Sequence, residues 1–250
     1  MARAFTEPVR ELALPATTVH RFGGYDLIAA GVGPALAAAS TATALTAAAL
    51  GGTPYGLVVS AGIAGGFPPG REPGADPRTT TAAHTATDGG APPAAAAGAP
   101  VGSLVVADEI TAADLGAETG DGFLPVTDLG FGTVTHRPPE SLVRAAAAAT
   151  GAATGTVLTV STVTGTAARA GALRARHPRA LAEAMEGFGV AEAAGAHGVP
   201  VLELRAVSNP VGPRDRAAWR IGDALAALTE GFGKLVPVLE SWKPHEPAES

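Results

Sequence analysis

Near-continuous apolar runs alternating with helical stretches constrain this chain more than any other feature of its sequence. Residues 55–61, 101–109, 155–163, 180–185 and 200–208 read as strands apolar on both faces, the pattern of a sheet covered on both sides. A strand over 25–30 leads through the turn Gly31-Val32-Gly33 into a helix over 34–50, with Pro34 at its first position. Further helices are expected over 188–197 and 221–240. The alternation predicts an α/β fold: one domain over 1–250, with a central, largely parallel (mixed) twisted sheet flanked by helices. No internal repeat is visible. Residues 68–100 are rich in Pro, Gly, Ala and Thr without period and predict a disordered insertion. Its ends can lie close together, because loop length costs little. The polar segment 244–250 predicts a frayed tail.

Composition narrows the function classes. Hydrophobic residues make up 46% of the chain but aromatics only 4%, so the core must be built from Ala, Val and Leu. The net charge is −6, and no Lys/Arg run exceeds two. Nucleic-acid binding needs a basic surface to displace phosphate counterions, so no nucleic-acid partner is expected. The chain has no cysteine, which excludes disulfides, thiolate nucleophiles and cysteine metal sites and is compatible with the cytoplasm. The first 18 residues contain no apolar signal core. Residues 34–50 are uncharged but shorter than the ~20 residues needed to span a bilayer. A soluble protein with no membrane partner is expected.

Glu186 carries the strongest chemical signal. It stands where the apolar run 180–185 gives way to a helix, directly after Met185. A strand-end carboxylate beside a thioether suits a ribose, whose hydroxyls donate to the anion while its carbons pack on Met185. The competing reading is a Glu that merely favours the first helical turn. Open α/β sheets bind ligands beyond the carboxyl ends of their strands. Here those ends are Gly31-Val-Gly33, Gly62-Ile-Ala-Gly-Gly66, Ser161-Thr-Val-Thr-Gly-Thr166, Glu186 and Ser208-Asn209.

Ala30-Gly-Val-Gly-Pro, Gly62-Ile-Ala-Gly-Gly, Val101-Gly-Ser-Leu-Val-Val-Ala-Asp-Glu109, Met185-Glu186-Gly and Arg205-Ala-Val-Ser-Asn209 occur in one order. That ordered set resembles the nucleoside phosphorylase and methylthioadenosine nucleosidase superfamily. Within it, the 161–166 segment, Ala112-Ala-Asp-Leu-Gly-Ala-Glu118 and Asn209-Pro-Val-Gly-Pro-Arg-Asp-Arg-Ala-Ala-Trp219 look most like the futalosine hydrolases. The resemblance covers roughly residues 25–240, apart from the insertion. It implies a nucleoside phosphorylase-like fold and cleavage of hypoxanthine from futalosine in menaquinone biosynthesis. It further implies a homo-oligomer with a small-molecule nucleoside as partner, and no metal or organic cofactor.

The resemblance also assigns roles. Glu186 grips the ribose hydroxyls and stabilises the oxocarbenium-like sugar, and Met185 packs on the ribose. Backbone at Gly65, Thr164 and Gly165 frames the base, and Asn209 faces its edge. The superfamily's aminopurine nucleosidases have Asp at that place. An amide suits a 6-oxopurine instead, because its NH2 donates to O6 while its oxygen accepts a proton arriving at N7. The competing reading of Asn209 is a turn residue before Pro210. Arg214, Arg216, Trp219 and Arg220 follow closely and can meet the benzoate-type group on the 5′ side, or else form a solvated loop. The superfamily's phosphorylases hold phosphate near the first two glycine turns, which here have no Arg or Lys, with Ile63 in place of a serine. An apolar wall without a cation cannot repay phosphate desolvation, so hydrolysis is expected.

Other candidates are weaker. The six histidines show no metal-ligand spacing. Arg205, inside an apolar strand, reads as a paired structural ion. Ser60 lacks a nucleophile-elbow context, and Asp108 and Glu109 read as a solvated strand end. Superfamily members open with an apolar strand and a Glu that positions water. No segment before residue 25 matches it, so that strand reads as missing and neither Glu7 nor Glu11 is assigned the role. The alternatives are a methylthioadenosine or adenosylhomocysteine nucleosidase, a purine nucleoside phosphorylase, and a non-catalytic nucleoside-binding protein.

Overall fold

Three strands come first among the described residues: β1 (Arg10–Leu14), β2 (Thr17–Phe22) and β3 (Tyr25–Ile28) pair in sequence order as an antiparallel sheet of their own. The computed structural model describes residues 10–69 and 98–243; the insertion and tail expected from sequence lie, but for a few flanking residues, outside them. β1 and β2 were not legible as strands. β3 was expected in the central sheet, yet it pairs with β2 and leads through Gly31 and Gly33, both at positive φ, into α1 (Pro34–Leu50). A non-glycine residue rarely adopts that backbone conformation.

The central sheet comprises β4 (Val58–Gly66), β5 (Leu104–Ala112), β8 (Thr135–His136), β9 (Ala153–Thr159), β10 (Ala180–Ala184) and β11 (Val201–Pro210). The remaining strands, β6 (Gly116–Thr119) and β7 (Gly122–Pro125), form a separate hairpin. In the central sheet the long registers β4–β11, β5–β9 and β9–β10 are parallel, while the antiparallel pairings β4–β10, β5–β11 and β5–β8 are short. Because β11 pairs with both β4 and β5, the strands β4, β10, β9, β5 and β11 form a closed circuit. Sequence reading treated the sheet as open. It also took Gly62–Gly66 for a turn, whereas these residues are strand, and Gly65 and Gly66 pair with neighbours on both sides.

All five residues of β10 and the first eight of β11 are buried, as the apolar runs predict. α1 and α4 (Gly187–Ala196) cover one face. Their approach is close: a Cβ on Gly189 would lie 2.0 Å from the Pro34 carbonyl oxygen, so no side chain fits there. α2 (Glu140–Thr150) and α5 (Ile221–Ser241) cover the other face through a cluster that includes Leu142, Leu204, Leu228 and Leu235, all fully buried. Each such leucine contributes roughly 1.5–3 kcal/mol by leaving water. α3 (Ala167–Arg176) packs Leu173 onto Leu158 and Val160. The ends of β4, β10 and β11 are thereby brought side by side, with the N-terminus of α1 facing them. No helix of the described residues is long and apolar enough to cross a membrane.

Candidate active site

A cavity of about 1380 Å³ opens at these strand ends. Ligand pockets commonly run to roughly 300–1,000 Å³, so there is room beyond a nucleoside. Of the residues singled out in the sequence, Gly65, Thr164, Met185, Glu186, Asn209, Arg214 and Trp219 all line it. Gly165 is not among the lining residues; it lies against the Arg214 side chain.

Glu186 occupies the N-cap position of α4, but its side chain makes no capping bond. A side-chain cap on α4 is therefore not what holds this carboxylate. Its Oε1 accepts from the backbone N–H of Gly33, at 3.4 Å, and its Oε2 from Arg205 Nη1, at 3.1 Å. Gly33 is itself the N-cap of α1, so the anion sits at the positive end of a 17-residue helix. Unused lone pairs on both oxygens remain for hydroxyl donors. The side chain is 22% exposed, so a ligand in the cavity can reach it.

Arg205 lies behind it, paired as expected but inside the site. Nε donates to Glu203 Oε1 at 2.7 Å and Nη2 to Ser60 Oγ at 3.2 Å. Arg205 is 2% and Glu203 0% exposed. Burial alone would push the guanidinium down, but Glu203 and Glu186 together hold it above its usual range. Burial pushes the Glu203 carboxyl up; Arg205 opposes this, and Glu186 adds repulsion. The seat depends on glycine, because a Cβ on Gly62 would stand 2.6 Å from Arg205 Nη1. A cation therefore does lie beside the second glycine segment, which the sequence had suggested was wholly apolar. Its charge is answered by two carboxylates, and each guanidinium nitrogen already donates within the protein. Two of its five N–H groups stay unspent, but the Glu186 anion paired with it would repel a phosphate dianion.

Asn209 is the penultimate residue of β11, with its Oδ1 accepting from Ser208 Oγ at 2.8 Å and its Nδ2 donating to the Pro210 carbonyl at 3.0 Å. One amide proton and one lone pair on Oδ1 remain available. In register, Asn209 pairs with Gly65, and Gly65 on its other side pairs with Glu183. A Cβ on Gly65 would meet Val211 at 3.0 Å and Asn209 Nδ2 at 3.3 Å, so these two side chains close over the glycine and leave little room for another. Farther round the wall, the Arg214 guanidinium stands 5.4 Å from the Trp219 ring centroid and that of Arg216 5.7 Å, on the same aromatic. Arg216 and Arg220 are not among the lining residues.

Comparison with known proteins adds a decisive observation. A futalosine hydrolase of Streptomyces coelicolor is 71% identical over 247 residues, spanning 98% of this chain and 93% of that one. The chain belongs to the futalosine hydrolase family. No protein-family model matches it. Among solved structures, a futalosine hydrolase mutant of Helicobacter pylori superposes with a TM-score of 0.68 at 17% identity, over 94% of this chain and 92% of that one. A methylthioadenosine/adenosylhomocysteine nucleosidase of Neisseria meningitidis, in complex with methylthio-immucillin-A, gives 0.68 at 19% identity, over 94% and 91%. These likenesses bear out the α/β nucleosidase fold.

In this futalosine hydrolase family member, sequence reading missed Glu183 and Glu203 and weighed Ser60 only as a nucleophile. Glu183 and Glu203 are carboxylates inside fully buried strands, and Ser60 is a buried hydroxyl beneath Arg205. The available signal was a Glu interrupting an apolar run, in Leu181-Ala-Glu-Ala and Leu202-Glu-Leu-Arg205. Buried acids of that kind are kept only when paired. Asp108 and Glu109, by contrast, form ion pairs with Arg179 and Arg137, and neither lines the cavity.

Proposed function

We propose that this chain hydrolyses the N-glycosidic bond of futalosine and releases hypoxanthine, as a step of menaquinone biosynthesis. The observation that carries the reading is the opening of Glu186 and Asn209 onto one cavity, in a chain with a 71% identical futalosine hydrolase relative. The C1′–N9 bond breaks with its electron pair passing to the purine. Water adds to C1′ and loses one proton, and the departing purine takes up one proton, so hypoxanthine leaves neutral.

Glu186 accepts from the ribose hydroxyls and, held in place by Gly33 and Arg205, stabilises the positive charge that develops on the sugar. Met185 packs on the ribose carbons. Asn209 gives its remaining amide proton to O6 and offers Oδ1 to a proton at N7. Gly65 and Thr164 frame the base, with Gly165 behind them. Arg214 meets the carboxylate of the 5′ aromatic group and Trp219 covers its ring, in the space the cavity keeps beyond a nucleoside. Hydrolysis rather than phosphorolysis is supported by the neutralised Arg205.

A homo-oligomer suits the exposed apolar side chains Leu115, Leu124, Leu129 and Phe131 on and beside the β6–β7 hairpin. A cytoplasmic setting suits a chain without cysteine. The test is incubation of the purified chain with futalosine, with and without inorganic phosphate, following hypoxanthine. Release at the same rate in both is expected. Dependence on phosphate would assign a phosphorylase, and thermal stabilisation by futalosine without release would assign a binding protein.

A further inference from the structure

Glu183 has no part in the chemistry described so far, yet it lines the cavity and is only 6% exposed. Its Oε1 accepts from the backbone N–H of Thr164 at 2.8 Å, and its Oε2 from the Thr164 hydroxyl at 2.5 Å. Thr164 is also buried and also lines the cavity. Both of its polar hydrogens are therefore spent on Glu183, and the carboxylate has none of its own. What the pair turns to the cavity is lone pairs alone.

The position of this wall follows from the sheet. Glu183 pairs with Gly65 across β4–β10, and Asn209 pairs with Gly65 across β4–β11. Paired residues project to the same face of a sheet. Two strand spacings separate the outer pair by roughly 10 Å, about the span of a purine with a hydrogen bond at each edge. Gly65 puts no side chain of its own between them, and the Val211 methyl and the Asn209 amide come within 3.0 and 3.3 Å of where its Cβ would stand.

We propose that Glu183, together with Thr164, is a specificity-determining element that reads the N1 edge of the base. The inference rests on the hydrolase reading above and deepens it. With Asn209 on the O6 and N7 side, the far edge of the ring is N1. A 6-oxopurine carries a proton on N1 and can donate to this wall. A 6-aminopurine presents a bare lone pair there and meets only acceptors. Discrimination thus comes from two sides of the ring, and the Asn209 amide supplies only one of them.

The experiment compares kcat/KM for futalosine and for its 6-amino analogue in the wild type, Glu183→Gln and Glu183→Asp. Gln keeps the volume but introduces an NH2 donor. Losing a hydrogen bond to a charged group is worth roughly tenfold to a hundredfold. Glu183→Gln is expected to lose about that factor on futalosine and far less on the amino analogue, so the preference narrows at least about tenfold. Glu183→Asp, which keeps the charge, is expected to retain the preference. A merely structural Glu183 would lower both substrates in parallel, and that result overturns the proposal.

A second measurement needs no variant. Hypoxanthine should inhibit the wild type at least about tenfold better than 1-methylhypoxanthine, which has lost the N1 proton; equal inhibition overturns the proposal. A wild type that releases no hypoxanthine overturns the hydrolase reading itself. Release with an unchanged preference in Glu183→Gln overturns this inference alone.

Discussion

Arg205 Nη1 donates to Glu186 Oε2 at 3.1 Å while its Nε donates to Glu203. One guanidinium thus bridges a reachable carboxylate and one sealed in the core. The surplus negative charge is left on the side that faces the cavity, where a sugar cation would form. An unpaired Glu186 would keep its charge but not its orientation. A Glu186 bound to a free arginine would have no compensating acid behind it.

Replacing Glu186 with Gln keeps the shape and removes the charge. The expected result is a fall in kcat of about 10²–10³, the usual cost of removing one preorganised electrostatic contact from a transition state. Initial rates of hypoxanthine release measure it, and a kcat equal to wild type would remove Glu186 from the chemistry. The thermal midpoint should move little, because Arg205 keeps Glu203.

Arg205→Met should act mainly on stability. Glu203, 0% exposed, would lose its cation, and among the described residues its Oε2 already has no hydrogen-bond partner. Removing one member of a buried ion pair costs about 3–5 kcal/mol. Denaturant titration should show a loss of that order. Adding Glu203→Gln to Arg205→Met should recover part of it, and strict additivity of the two would argue against the pairing.

Arg214→Ala should separate the two ends of the substrate. KM for futalosine is expected to rise about tenfold, the low end for a hydrogen bond to a charged group at an exposed position. A purine nucleoside lacking the 5′ aromatic acid should be affected little. Equal effects on both would move Arg214 away from the carboxylate.

Acid should destabilise the fold through His177 at the end of α3. Its imidazole titrates below the ordinary value of 6.5 because it is partly buried; Arg176 adds repulsion, and Glu109 opposes both. The unfolded chain therefore takes up a proton before the folded one does. That stability is complete above about pH 6.5 and is lost as pH falls through the folded value. Melting curves from about pH 7 to about pH 5 should show a smaller loss for His177→Gln than for wild type.

How far the sequence could be read depended on burial. The apolar runs at β10 and β11 were legible because burial leaves an unmistakable composition, and α1, α4 and α5 because their Ala- and Leu-rich stretches run for ten residues or more. The antiparallel β1 and β2 were not: Arg10–Leu14 and Thr17–Phe22 are short, mix polar with apolar residues and are only partly buried, and a strand of that kind is indistinguishable from loop until its partner is known. α3, with three arginines in ten residues, shows little apolar face. Glu186 and Asn209 could be found because a strand end is a local property. The role of Glu183 could not, because it depends on which residue the register sets beside Gly65. The closed circuit of strands was hidden for the same reason, since the β5–β11 pairing joins residues far apart in the chain.

The Gly33–Glu186 bond spans 153 positions of sequence, so the start of one helix and the cap of another must both be in place before the nucleoside has anywhere to dock. A partly folded chain has no weakened version of this pocket; it has none. Ligand affinity is therefore coupled to completion of the whole fold, and saturating nucleoside should raise a single cooperative unfolding transition by mass action instead of protecting one local segment.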